Sequence, residues 1–218
     1  LASTSLLAAG RTNDVQILRS SEQAIQIEFT PKHYAPRVVK FKEKEFVHYD
    51  FEGSAQLASS REVGVPDLRY KYLPLAFQAQ EGNALQILAA DYEDIPNVVL
   101  KPTPSLYVKD EIVAVKDFVL DDQSYSRNAF LPNVAAELAS VEQSRSMLVG
   151  GVKVYPLQYN PITKVLRRYS RIVVEVVYGS TSAARVRNDD DELLGSFLLN
   201  GQVAQTWKFG RPQSLNKV

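Results

Sequence analysis

Apolar and polar positions alternate with a period of two through most of this chain. In "EQAIQIEFT", Ile25, Ile27 and Phe29 fall on one side and Gln26 and Glu28 on the other. That is the pattern of a half-buried strand. "RVVKFKEKEFVHYDF" continues in the same manner, with Lys40, Lys42 and Lys44 on one face. "ALQILAADYEDI", "SLYVKDEIVAVKDFVL" and "SMLVGGVKVYPLQYN" read as further strands. Turn-forming residues separate them: Pro31, Gly53, Gly64 to Pro66, Gly82-Asn83, Pro96-Asn97, Pro102, Pro104 and Gly150-Gly151. Many short strands with such punctuation predict an all-β protein, an antiparallel β-sandwich.

Two segments depart from the alternation. "PNVAAELASVEQSR" (Pro132–Arg145) is rich in Ala and Glu and reads as a helical turn or a surface loop. "NDDDELLGSFLLNG" (Asn188–Gly201) predicts one short C-terminal helix. Asn188 or Asp189 can cap it, and the acids that follow suit the positive end of the helix dipole. Leu193, Leu194, Phe197 and Leu198 form its apolar stripe, and Asn200-Gly201 is a stop signal.

The most strongly specified stretch is "YPLQYNPITKVLRRYSRIVVEVVYG", Tyr155 to Gly179. It predicts two strands around a turn. Pro161 sets φ after Asn160, and Thr163 can support the turn. Leu166 and the set Ile172, Val174 and Val176 are expected on core-facing sides. A break in the alternation is expected near Arg167-Arg168.

Composition narrows the function classes. The 218 residues hold 25 Lys and Arg against 25 Asp and Glu, so the formal net charge is zero. No general pull toward nucleic acid or an anionic membrane follows. Lys164, Arg167, Arg168 and Arg171, flanked by Tyr159 and Tyr169, resemble a nucleic-acid face in type. Without net charge or a phosphate loop they read as a solvated strand face whose charges block edge aggregation. No cysteine is present, which removes disulfides, thiolate metal sites and a cysteine nucleophile. The acids Asp189 to Glu192 lack the alternation and central Gly of a calcium loop and read as the helix cap. His33 and His48 are too few for a metal site and are expected as surface or sheet-face filling, with pH sensing near a partner's surface as the alternative. No phosphate loop, nucleophile elbow or paired carboxylates stand in a recognisable context. The residues therefore describe a non-enzymatic β-domain without metal or cofactor. "LASTSLLAAG" reads either as the tail of a signal-peptide apolar region, with Ala8-Ala9-Gly10 near a cleavage site, or as a poorly ordered start of the mature chain. Arg11 stands where a lipid-anchoring cysteine would be needed.

The Tyr155–Gly179 stretch also carries a resemblance. Pro156-Leu157-Gln158-Tyr159-Asn160-Pro161, Thr163-Lys164, Leu166-Arg167, Tyr169 and Ile172-Val173-Val174 resemble a hairpin in the N-terminal prodomains of gingipain-type cysteine peptidases. Gly64-Val65-Pro66-Asp67-Leu68, Leu75-Ala76-Phe77 with the strand after it, Gln123–Pro132 and Asp190–Asn200 agree in order. The resemblance runs from Asp14 to Lys208. A similar domain opens the sortase of the type IX secretion system, which is a second assignment. A surface- or carbohydrate-binding β-sandwich is a third, against which the single Trp207, placed in the tail, speaks.

The resemblance implies a prodomain that folds on, inhibits and helps mature a caspase-like cysteine peptidase, in cis or in trans. The catalytic Cys and His of that peptidase would lie outside these 218 residues. In the family a basic side chain on a protruding loop enters the specificity pocket. "LYVKDE" places Lys109 at that position, with Arg127 in "SYSRNAF" as the alternative. Maturation cleavage is implied at Lys208 or Arg211. The implied organisation is a disordered or signal-derived segment at 1–13, a prodomain at 14–203 and a junction tail at 204–218. Export to the periplasm, outer-membrane surface or medium follows from the same resemblance. Contact with a membrane would then be indirect, through the secretion system.

Overall fold

The structure is a computed structural model; it describes residues 14–41, 43–54, 63–109, 112–144, 147–180 and 192–207. Thirteen strands dominate it, and the β-sandwich expected from the alternation is present. One sheet joins β1 (Val15–Ser20), β2 (Ala24–Phe29), β6 (Ala84–Ile95), β12 (Leu157–Asn160) and β13 (Val165–Val177). The other joins β5 (Lys71–Phe77), β9 (Ala136–Leu138), β10 (Glu142–Ser144) and β11 (Met147–Val154). All pairings within these two sheets are antiparallel. Two hairpins stand apart, β3 (Arg37–Phe41) with β4 (Lys44–His48), and β7 (Ser105–Lys109) with β8 (Ile112–Asp117).

Strand β13 is the spine. Along one edge it pairs β6 from Leu166 to Val177. Along the other it pairs β12 through its first residues and β2 through its last. The register shifts between Tyr169 and Arg171, so Ser170 sits in a bulge. The extra residue has a consequence for packing. Leu166 and Tyr169 are three apart and face opposite sides of the sheet, while Tyr169 and Ile172 share a side across the bulge. Tyr169, Ile172, Val174 and Val176 accordingly enter the main core with Ile25, Ile27, Phe29, Leu73, Leu75 and Phe77. Leu166 enters a second cluster with Leu157, Tyr159, Tyr49, Leu68, Val98 and Leu100. The break in alternation therefore falls just after the Arg167-Arg168 pair, and it divides two cores rather than interrupting one.

The turn between β12 and β13 has the chemistry its sequence suggests. Asn160 Oδ1 accepts from the N–H of Ile162 at 3.1 Å and of Thr163 at 3.2 Å, so the side chain folds the loop over itself. Lys164 takes the left-handed conformation at φ 55, and its carbonyl accepts from Val98 N–H at 2.9 Å.

Several expectations are corrected. "RVVKFKEKEFVHYDF" and "SLYVKDEIVAVKDFVL" are each a hairpin, not one strand. "SMLVGGVKVYPLQYN" changes sheets at Tyr155-Pro156, giving β11 to one and β12 to the other. Residues 132–144 are neither helix nor plain loop: β9 and β10 both pair β11, whose edge supplies the hydrogen bonds that Ala-rich sequence does not advertise. A short helix, α1 (Asp122–Tyr125), is capped by Asp121, whose carboxylate accepts from Ser124 N–H.

The C-terminal helix is broken in two, α2 (Glu192–Phe197) and α3 (Gly201–Ala204), followed by a 3-10 turn at Gln205–Trp207. Its proposed caps, Asn188 and Asp189, lie outside the described residues. The cause of the break is Asn200. Its amide donates to Ala76 carbonyl at 2.9 Å and to Tyr178 hydroxyl at 2.8 Å, and its Oδ1 accepts from Ala76 N–H at 2.8 Å. Leu199 N–H donates to Pro74 carbonyl at 3.0 Å. The segment thus satisfies edge groups of β5 instead of continuing its own helix. A Cβ on Gly201 would stand 1.8 Å from Gly195 carbonyl oxygen, so the close return requires glycine. Trp207 is not a tail residue. It is 1% exposed and packs edge-on against Tyr178 at 4.8 Å. Among the described residues no helix is long and apolar enough to cross a membrane.

Replacing Asn200 leaves buried donors and acceptors of β5 unpaired, at about 1–3 kcal/mol per group. Asn200→Ala is expected to destabilise the chain by about 3 kcal/mol, or about 6–12 °C in Tm. A calorimetric shift below about 2 °C would show that Asn200 does not hold the C-terminal segment to β5.

Candidate functional site

The hairpin β7–β8 pairs with no other strand among the described residues. Its strands run from Ser105, opposite Asp117, to the terminal pair Lys109 and Ile112. Asp110 and Glu111, between them, lie outside the described residues. Lys109 is thus the last residue of the ascending strand of an arm. Arg127 sits elsewhere, exposed in the loop after α1, its N–H on Ser124 carbonyl at 3.4 Å. The structure does not bring the two basic candidates onto one element. Lys208 and Arg211 lie outside the described residues.

The base of the arm is closely built. Phe118, which follows β8, packs edge-on against Phe41 at 4.9 Å and tilted against Phe46 at 5.5 Å. An apolar cleft of about 680 Å³ opens there, lined by Phe41, Phe46, Phe118, Val119 and Leu120 with a few charged neighbours. A second contact closes the stems. Gly64 N–H donates to Thr103 carbonyl at 2.9 Å, Thr103 N–H to Val65 carbonyl at 2.7 Å, and Asp121 N–H to Gly64 carbonyl at 3.0 Å. Thr103 precedes β7 and Asp121 follows β8, so Gly64-Val65 clips both stems together. Gly64 has φ +93, and a Cβ there would stand 2.9 Å from Asp121 nitrogen and 3.0 Å from Val119 oxygen.

A buried charged cluster lies beside the clip. His48 is 4% exposed, with Nε2 3.7 Å from Asp50 and Nδ1 3.8 Å from Asp67. Arg69 pairs with Asp50 at 3.1 Å and Lys101 with Asp67 at 2.6 Å. Burial holds the His48 imidazole below its ordinary value of 6.5, the Lys101 cation adds to this, and the two carboxylates oppose it. Of the two expectations for His48, surface or sheet-face filling, its burial on β4 leaves only the second. His33 is half-buried, with Nε2 2.6 Å from Tyr169 carbonyl oxygen. Sequence reasoning missed the cluster because its five members come from three segments; the only local signal was His48 two residues from Asp50. No group of three metal-ligating side chains is assembled among the described residues.

The basic face of β13 is neutralised by its neighbours. Arg167, Arg168 and Arg171 stand directly opposite Asp94, Glu93 and Asp91 on β6. Arg167 binds Asp94 through two bonds of 2.8 and 2.9 Å and lies 3.9 Å over the Tyr92 ring. That guanidinium holds the Asp94 carboxyl below the usual range. Arg168 reaches Glu93 at 2.7 Å, and Arg171 reaches Glu28 on β2 at 2.6 Å. The ladder locks β6 to the spine and spends its positive charge within the fold.

The Propeptide_C25 family profile matches residues 7–195. The chain belongs to this family. Gingipain R1 of Porphyromonas gingivalis is 27% identical over 192 residues, covering 85% of this chain and 18% of the relative. Gingipain R2 of the same organism is 30% identical over 115 residues, covering 53% of the chain and 16% of the relative. The chain thus spans less than a fifth of these curated relatives. Among solved structures, the complex of Porphyromonas gingivalis RgpB pro- and mature domains matches with a TM-score of 0.74 at 21% identity, covering 88% of this chain and 100% of that chain. A structure addressing zymogenic latency of gingipain K from the same organism matches with a TM-score of 0.61 at 16% identity, covering 78% and 95%. Membership in the family makes this a propeptide domain, a non-catalytic region, and the all-β fold is that of the gingipain prodomain.

Gly64 offers a test of the clip, because Gly82 also has positive φ, at 77, yet a Cβ there would meet only Gly179 Cα, at 3.6 Å. Gly82→Ala is expected to cost about 1 kcal/mol from backbone strain alone. Gly64→Ala adds a clash with the clip and is expected to cost about 2–3 kcal/mol in denaturant unfolding. Equal losses at the two positions would contradict a closed clip.

Proposed function

We propose that this domain is the inhibitory prodomain of a gingipain-like cysteine peptidase and that the β7–β8 arm is its inhibitory element. The carrying observation is the arm itself: a hairpin outside both sheets, clipped at its stems, with a lysine at the end of β7. Lys109 enters the specificity pocket of the peptidase and pairs with an acid at its base. A rigid base favours such a contact, since a preorganised arm loses little conformational entropy on binding. The similarity to structures of gingipain pro- and mature domains supports a cognate peptidase domain as the partner.

The same reading places maturation cleavage at Lys208 or Arg211. Trp207 is buried in the main core, and Lys208 is the residue that follows it in the chain. Basic specificity at the cut matches a lysine plug. Export of the parent protein goes with this assignment.

The chain added in trans to the mature cognate peptidase should inhibit it. Lys109→Ala is expected to weaken inhibition about 10-fold or more, the loss of a desolvated charge pair, while Arg127→Ala leaves it unchanged. The reverse pattern would transfer the role to Arg127. Unchanged inhibition by both variants would overturn the basic plug.

A further inference from the structure

We propose that His48, set among Asp50, Asp67, Arg69 and Lys101, is an acid-sensitive latch on the base of the β7–β8 arm. The geometry stands by itself; the consequence for inhibition rests on the arm being the inhibitory element.

The latch is built from three segments that meet at the stems. Val47 of β4 donates to Val99 carbonyl and accepts from Lys101 N–H, both at 2.8 Å. Asp67 N–H donates to Lys101 carbonyl at 2.9 Å, and Pro66 bridges Pro102. The Val98–Thr103 segment is therefore held between β4 and the Gly64–Asp67 segment, and it leads directly into β7. Lys101, on this segment, grips Asp67, three residues from the Gly64 that closes the stems.

The charges balance in one protonation state. Asp50 with Arg69, and Asp67 with Lys101, are two opposite pairs. With the imidazole neutral, the five groups sum to zero. Arg37 lies opposite His48 on β3, and the Tyr125 hydroxyl of α1, kept protonated by burial and then by Tyr159 and Asp67, donates to Leu100 carbonyl at 3.4 Å. Neither supplies a further negative charge at neutral pH. A proton on His48 is thus an uncompensated charge in a buried site. It draws Asp67 away from Lys101 and Asp50 away from Arg69. Unused hydrogen-bonding capacity for such a rearrangement exists: His48 Nδ1, Asp67 Oδ1, Arg69 Nε and Thr103 Oγ1 are buried without a hydrogen-bond partner among the described residues.

The sign follows from linkage. A histidine kept below its ordinary value in the fold contributes stability that is complete above about pH 6.5 and lost as pH falls toward its folded value. Acid therefore loosens the stems. A loosened base no longer holds the arm in its binding geometry, so acidification favours release of the peptidase.

Amide hydrogen exchange of the chain, corrected for intrinsic rates, reads the latch without any peptidase. Protection at Gly64, Thr103 and Asp121 is expected to fall about 10-fold or more between pH 7.5 and 5, while Ile172 to Val176 of β13 keep theirs. In His48→Gln the fall is expected to vanish. Should that variant not fold, the ring titrations of His48 and His33 in the unmodified chain decide: the loss must track His48. A fall that persists in His48→Gln, tracks His33 or is absent would overturn the latch. If exchange behaves as expected but inhibition of the cognate peptidase does not weaken over the same range, the latch stands and the inhibitory assignment of the arm fails.

Discussion

Strand β13 has thirteen residues that must satisfy their backbone groups on both edges, and most of the architecture answers that demand. No single neighbour covers the second edge, so β12 and β2 divide it. The bulge at Ser170 resets the side-chain alternation between the two halves. One half then serves the sandwich core and the other a smaller core beneath the Val98–Leu100 segment. That smaller core holds Leu100 and Leu68, on the two segments whose Thr103 and Gly64 bond to each other at the stems of β7–β8, so the spine is linked to the root of the arm.

The charges follow from the same strand. Arginines at consecutive positions project to opposite faces, and each meets an acid on β6 or β2. Exposed pairs of this sort contribute little individually, but as a register-matched ladder they define which alignment of β6 is correct. Their neutralisation within the fold leaves the arm as the more distinctive surface element.

Much of this was legible in the sequence, for identifiable reasons. Ile25, Ile27 and Phe29 alternate strictly, and all three are buried. Asn160-Pro161 announces a turn through local chemistry, and the structure closes it with the Asn160 side chain. Local signals failed where a distant partner decides the outcome. Residues 132–144 become two strands because β11 offers an edge. The C-terminal helix breaks because Asn200 finds β5 some 124 positions away in sequence. Trp207 reads as tail because its partner Tyr178 follows β13, far from it in sequence. The His48 cluster assembles from positions 48–50, 67–69 and 101, and no periodicity connects them. The arm was marked by the resemblance of its sequence to gingipain-type prodomains rather than by its own alternation, which had suggested one continuous strand.

In the proposed function a two-sheet scaffold presents the clipped β7–β8 arm to a peptidase. The most direct measurement is a hydrogen-exchange footprint of the chain with and without its mature cognate peptidase. New protection should concentrate in residues 105–117, with the β6–β13 ladder unchanged. A footprint centred on the ladder, with 105–117 exchanging as in the free chain, would contradict it.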